Sequence, residues 1–261
     1  EKPGTPGILQ DIKASLAFDL KDKIGVKKIE QIEQFYLEKF QKEFADYDDI
    51  LLYGPQNPTK KINIIPFNIV PGDRCLHPKF VTSLLNDLFG IQTRAGCLCA
   101  GPYGHRLLEI DSDRSEQLLH LIQTRNYGGL KPGWVRLNIH YTLSEPEFDF
   151  IIAAIHFILR NGMKFLPFYE FNMQSGEWKN VHNNSRENPV LEQDINQIIS
   201  HLKNGDNEYN KTNPIPPFDE IIEQACRIAA DLKEPRDFLK FDDEVESVID
   251  FYVCKIKNNE I

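Results

Sequence analysis

Apolar residues recur at helical spacing over residues 8–44 and then give way to short strand-like runs. This change of period restricts the chain to a mixed architecture. Ile8, Ile12, Leu16 and Leu20 form one stripe, and Ile29, Ile32, Phe35, Leu37, Phe40 and Phe44 form another. Gly25 stands between them, so the segment reads as one long helix with a break or as two successive helices. DILLY (49–53) and INIIPFNIV (62–70) read as strands separated by the turn residues GPQNP. Pro66 inside the second predicts an edge strand or a bulge.

The alternation continues. A helix over 77–89 opens on His-Pro and closes at Gly90, and 91–94 reads as a short strand. Residues 115–126 are helical and stop at Gly128–Gly129, and WVRLNIHY (134–141) reads as a strand. Ser144 with Glu147 three places on forms a capping box for a helix running to Gly162. Residues 164–179 suggest an extended pair around Ser175–Gly176. The fold class is therefore α+β, a small antiparallel or mixed sheet flanked by helices. Beyond a polar linker at 181–187, helical patterns cover 190–203, 218–233 and 241–257, whose apolar stripes pack onto the body.

Charge narrows the partners. Thirty basic against thirty-nine acidic residues give a net charge of -9, which argues against a broad basic surface for nucleic acid or anionic membrane. No apolar run approaches the roughly 20 residues that span a bilayer, and the opening EKPGTPG is no signal peptide. Five cysteines at irregular spacing point to a reducing compartment, so a cytoplasmic location is expected, an organelle not being excluded.

Two of those cysteines, Cys97 and Cys99, sit in TRAGCLCAGPYGHR (93–106). A single C-x-C offers at most two metal ligands, and no second pair follows at zinc spacing, so no metal site is expected. The residues are either ordinary thiols in a turn or nucleophiles. Arg94 and Arg106 flank the loop, and nearby positive charge lowers a thiol below its usual value of about 8.5. Arg136 lies mid-strand among apolar neighbours, with Val135 and Leu137 facing the core. It is either a structural ion-pair partner or a bidentate clamp on a substrate carboxylate. Thr5, in Gly-Thr-Pro ahead of the first helix, either caps it or offers a hydroxyl to an anion.

Three stretches, GTPGILQDIKASLAFDLKDKIG, LNDLFGIQTRAGCLCAGPYGHRLL and KPGWVRLNIHYTLSEPEFD, resemble the C-terminal part of class V aminotransferases. These fold-type-I pyridoxal-phosphate enzymes include the cysteine desulfurases. The resemblance covers about residues 3–179, in matching order and spacing. It implies that Cys99 is the sulfur-accepting nucleophile and that Arg136 grips the substrate α-carboxylate. It further implies that Arg94 assists substrate or loop placement and that Thr5 reaches the cofactor phosphate of the neighbouring subunit. The role of Cys97 stays open, since its position varies in the family.

The family's lysine-bearing large domain has no counterpart here, and no Ser-x-His-Lys-like stretch occurs. The chain is thus expected to be a piece of a longer enzyme, with pyridoxal 5'-phosphate in the full-length protein and none bound to this fragment, which is expected to be inactive alone. The expected divisions are a linking helix region at 1–45, a small C-terminal α+β domain with the cysteine loop at 46–180, and a helical extension at 188–261. The implied partners are a small amino-acid substrate, a second copy in a full-length homodimer, and a sulfur-acceptor protein; neither nucleic acid nor membrane is expected. Two other readings stay open: a different class V reaction on another amino acid, and a non-enzymatic C-x-C domain for redox or metal binding.

Overall fold

A computed structural model describes residues 4, 7–96, 101–182 and 217–257. Helices α1 (Ile8–Ile24) and α2 (Val26–Glu43) meet at Gly25, whose φ of 88° is a conformation glycine adopts without a Cβ penalty. The sequence therefore makes two successive helices. None of α1 is buried, whereas α2 turns Tyr36, Leu37 and Phe40 inward. Tyr36 stacks on Phe148 with ring centroids 4.7 Å apart and donates its hydroxyl to the Leu143 carbonyl.

Strands β1 (Ile50–Leu52), β2 (Ile64–Ile69), β3 (Arg94–Gly96) and β4 (Trp134–Asn138) form an antiparallel sheet in the order β1-β2-β4-β3. Between them come α3 (Pro78–Phe89), α4 (Gly101–Leu107) and α5 (Ser112–Thr124), and α6 (Glu145–Phe165) follows β4. Strand alternation puts Ile65, Phe67, Ile69, Val135 and Leu137 on one face, where all are buried with Phe80 and Leu84 of α3 and Phe148 and Ile155 of α6. Each such side chain contributes about 1.5–3 kcal/mol on burial. Leu51, Ile64, Pro66, Asn68, Trp134, Arg136, Asn138 and Arg94 take the opposite parity; Asn68 and Trp134 are buried and the others half-buried or exposed, so the sheet has a sealed face and a partly open one.

Residues 145–168 are apolar and long enough to cross a membrane by length and composition, but 61% of that window is buried inside the protein. It is the core helix. Glu147 accepts hydrogen bonds from the Ser144 backbone N–H at 2.8 Å and from its hydroxyl at 2.7 Å, which fixes where α6 starts.

Three expectations change. Pro66 lies in a central strand, not at an edge. Its carbonyl accepts from Tyr53 N–H, so its nitrogen faces the same neighbour just past the end of β1, and the missing donor costs no bond to β4. The strand predicted at 91–94 begins only at Arg94, because Ile91 N–H is used to close α3 on the Leu85 carbonyl. The helix predicted over 241–257 is only Asp243–Glu246, labelled α8, after α7 (Phe218–Ala230). Beyond it the chain runs extended, exchanging backbone bonds between Asp250, Tyr252 and Cys75 and between Lys255, Lys257 and Phe171. Buried Val248, Ile249, Phe251 and Val253 suit that pairing better than a helix. The pattern at 190–203 lies outside the described residues. A second sheet pairs β5 (Tyr169–Phe171) with β6 (Trp178–Asn180) around Gly176 at φ 69°.

His77 caps α3: its Nδ1 accepts from Lys79 N–H at 3.1 Å and its Nε2 faces the Gly129 carbonyl at 3.3 Å. Burial among Phe251, Phe171 and Trp178 pushes its pKa down to about 3. The unfolded chain takes up this proton near 6.5 and the folded chain does not. Stability is therefore fully present above that pH and drains as the pH falls toward about 3, by roughly 1.4 kcal/mol per pH unit. Urea unfolding at successive pH values should show that slope, and His77→Gln should remove it.

Candidate functional site

The less covered face of the sheet holds two arginines, one on the edge strand β3 and one on the inner strand β4. Arg94 of β3 stands directly opposite Arg136 of β4. Since the Pro66 backbone groups point to β1, the Pro66–Arg136 pair is not hydrogen-bonded, and Arg136 directs its own N–H and carbonyl toward Arg94. Both guanidinium groups share a face with Trp134 and Pro66, and Trp134 packs against Tyr53 with ring centroids 5.4 Å apart. Arg136 is half-buried and Arg94 exposed. Among the described residues neither has a hydrogen-bond or ion-pair partner.

Like charges opposite each other across strands cost about 0.2–1 kcal/mol, and half-burying one adds desolvation. The half-buried arginines Arg74, Arg114 and Arg125 are paired, with Glu246 at 2.8 Å, with Asp250 at 2.9 Å, and with Asp242 and Glu244, whereas the exposed Arg106, Arg160 and Arg236, like Arg94, have no partner among the described residues. A planar guanidinium fork left without an acid among the described residues has the geometry that suits a carboxylate or similar anion. The ion-pair role that the sequence left open for Arg136 is not filled by any described residue.

β3 leaves the sheet through Gly96, whose φ of 112° is open to glycine. Gly133 lies behind it so closely that a Cβ there would stand 2.7 Å from the Gly96 carbonyl oxygen and 2.9 Å from its carbon. Backbone cannot swing away as a side chain can. Gly133→Ala should therefore cost about 2–3 kcal/mol in urea unfolding and displace the end of β3. Lys79 passes on the other side, its Cε 3.6 Å from where a Gly96 Cβ would be, and its Nζ donates to the Ser175 carbonyl at 2.8 Å. Burial, then the charge of Lys131, pulls its pKa below the lysine range.

Cys97, Cys99 and Thr5 lie outside the described residues. In sequence, Cys99 stands three residues past β3 and two before α4, so Arg94 and the cysteine segment adjoin along the chain. Arg106, on α4, is exposed. Of the remaining cysteines, burial pushes the Cys75 thiol well above its usual range and that of Cys254 up to about 11, so both stay protonated at neutral pH. Cys226 is exposed. Among the described residues no group of three or more His, Cys, Asp or Glu could hold a metal. Lys79, Tyr53 and Asn68 were not singled out from the sequence. Only Asn68, a polar residue in an apolar strand on a face the register leaves half-covered, carried a signal.

The model of the aminotransferase class-V family matches residues 2–114. A cysteine desulfurase of Haloferax volcanii is 30% identical over 104 residues, covering 40% of this chain and 23% of that protein. The chain thus spans less than a quarter of the length of this curated relative. A solved apo structure of a cysteine desulfurase from Thermococcus onnurineus NA1 is 25% identical, covers 61% of this chain and 33% of its own, and superposes with a TM-score of 0.47.

Proposed function

We propose, from the match of residues 2–114 to the aminotransferase class-V family and their likeness to a cysteine desulfurase, that the Arg94–Arg136 face receives the carboxylate of an amino-acid substrate. The observation that carries the reading is that Arg94 and Arg136 stand opposite each other on one face and have no partner among the described residues. A planar fork binds a carboxylate through two charge-assisted bonds and so fixes its orientation as well as its position.

Enzymes of this family generally depend on pyridoxal 5'-phosphate. The strand residues on the arginine face include no lysine to link that cofactor and no carboxylate to face its ring nitrogen. The described residues do not fit the cofactor by themselves, and no step on this face runs through it. In this reading the linking lysine belongs to another part of a longer fold-type-I protein, joined through residues 1–45, and the present chain alone is inactive. Residues 46–180 are the small domain that carries the site, and 188–261 an added extension. Thr5 would serve the cofactor's phosphate in a homodimer.

Cys99 is then the sulfur acceptor: cysteine plus the enzyme thiol gives alanine plus the enzyme persulfide, ready for an acceptor protein. Arg94 holds the substrate or the base of the loop, and positive charge beside the loop favours the thiolate. The test is a stoichiometric release of alanine and sulfide from cysteine by the longer protein carrying this chain, in the presence of an added dithiol that reduces the enzyme persulfide and is itself oxidised to a disulfide. Formation of a keto acid in place of alanine would replace this reading with transamination.

A further inference from the structure

A cavity of about 350 Å³ opens where three helices end, beside the second sheet. Asp87 and Leu88 come from the last turn of α3, Phe165 is the last residue of α6, and Ile228 lies in the last turn of α7. Small-molecule sites run from about 300 to 1,000 Å³, so this one suits a small occupant. No residue of the four-stranded sheet lines it, so it is separate from the arginine face.

Its interior is largely apolar. Phe165 is buried, Leu88, Phe168 and Leu232 are half-buried, and Ile228 is exposed at the mouth. An apolar body laid against them removes that surface from water. The polar side is Asn180 and His182, which are engaged with the protein itself. Asn180 Oδ1 accepts from the His182 backbone N–H at 2.9 Å, and the His182 ring lies against Phe168 with centroids 5.8 Å apart.

The charge around the cavity has one sign. Asp87 is exposed in the lining, and no lysine or arginine lines it among the described residues. Its Oδ2 accepts from the Tyr169 hydroxyl at 2.7 Å and its Oδ1 from the Asn86 amide at 3.1 Å. Both donors are neutral, and Asp87 has no ion-pair partner among the described residues. A carboxylate can accept about four hydrogen bonds, so room for a further donor remains.

The helix ends reinforce that sign. A helix C-terminus carries roughly half a negative charge, from carbonyls that its own ladder leaves unpaired. The protein meets two of the three ends with its own ammonium: Lys164, in the last turn of α6, donates to the Ala229 carbonyl of α7 at 3.4 Å. α3 has no basic residue in its last turn and carries Asp87 there instead, the sign that a helix C-terminus disfavours.

We propose that this cavity binds a small hydrophobic ammonium. Its carbon body lies against Leu88, Phe168 and Ile228, and its N–H groups donate to the Asp87 carboxylate at the end of α3. An anion with the same body meets like charge, and a neutral molecule gains burial alone.

The test is an NMR titration of the 261-residue chain with phenethylamine, 2-phenylethanol and phenylacetate, which share one apolar body. At about pH 8 the amine is still an ammonium, since alkylamines titrate near the lysine value of about 10.4. Salt at about 0.15 M screens the general attraction of a cation for a chain of net charge -9. Phenethylammonium should shift Leu88, Phe168 and Ile228 together and bind about tenfold more tightly than phenylacetate, with 2-phenylethanol between them. Asp87→Asn keeps an acceptor for the Tyr169 hydroxyl and should shrink that preference about threefold while leaving 2-phenylethanol unchanged. Ile228→Ala, at the exposed mouth, should weaken phenethylammonium and 2-phenylethanol alike. Equal binding of the three probes, tightest binding of phenylacetate, saturation by none of them, shifts scattered over the acidic surface, or an undiminished preference in Asp87→Asn would overturn the proposal.

Discussion

Replacing Arg136 by alanine should cut kcat/KM for the amino-acid substrate by about 10²–10³ and leave the stability of the fold unchanged or slightly raised. The first half follows from losing two charge-assisted hydrogen bonds to a carboxylate, about 3–4 kcal/mol together, at 1.4 kcal/mol per factor of ten. The second half follows from the sheet. Arg136 has no acid partner among the described residues, and Arg94 stands opposite it. Removing one of two facing cations relieves a repulsion of about 0.2–1 kcal/mol and breaks no pair. A structural arginine would behave in the opposite way, with a large loss of stability and little specific effect on the substrate. Arg136→Lys keeps the charge and loses the fork, so it should recover only part of the activity. Steady-state kinetics of the longer protein, set beside urea unfolding of the same variants, read both halves.

Cys99→Ser should lower sulfide release to roughly a thousandth or less while KM for the amino acid stays near its original value. A hydroxyl cannot take sulfur onto itself as a persulfide, yet it occupies similar space and leaves the arginine pair untouched. Cys75 and Cys254 cannot substitute, since burial keeps both thiols protonated at neutral pH. Persulfide labelling of the longer protein after cysteine addition should mark the 97–100 segment and vanish in the variant. Full activity in Cys99→Ser would move the protein to another class V reaction and leave the carboxylate reading of Arg136 standing.

Much of the architecture was legible because local signals agreed with tertiary ones. Gly25 divided the first helices, His77 and Gly90 bounded α3, and Ser144 with Glu147 set the start of α6. The alternation in WVRLNIHY put Val135 and Leu137 inward and Arg136 on the free face, as the register confirms. Errors arose where a partner decided the outcome. Pro66 reads as an edge residue in isolation, and becomes tolerable in a central strand only because β1 ends where its donor is missing. Residues 247–257 carry a helical stripe, but pairing with Cys75 and Phe171 draws them out straight. The candidate site shows the same division. Strand parity could place Arg136 on the open face, but the facing of Arg94 depends on a register no single strand encodes.

The central claim is that the free face of the sheet is a carboxylate receptor built from two arginines. Titrating the 261-residue chain with acetate while following the arginine side-chain N–H resonances tests it most directly. The account predicts that Arg94 and Arg136 shift together and saturably, more strongly at low salt, and that Arg136→Ala abolishes the response at Arg94. Silence at both arginines, or an Arg136 resonance already held by a carboxylate of the protein itself, would contradict it.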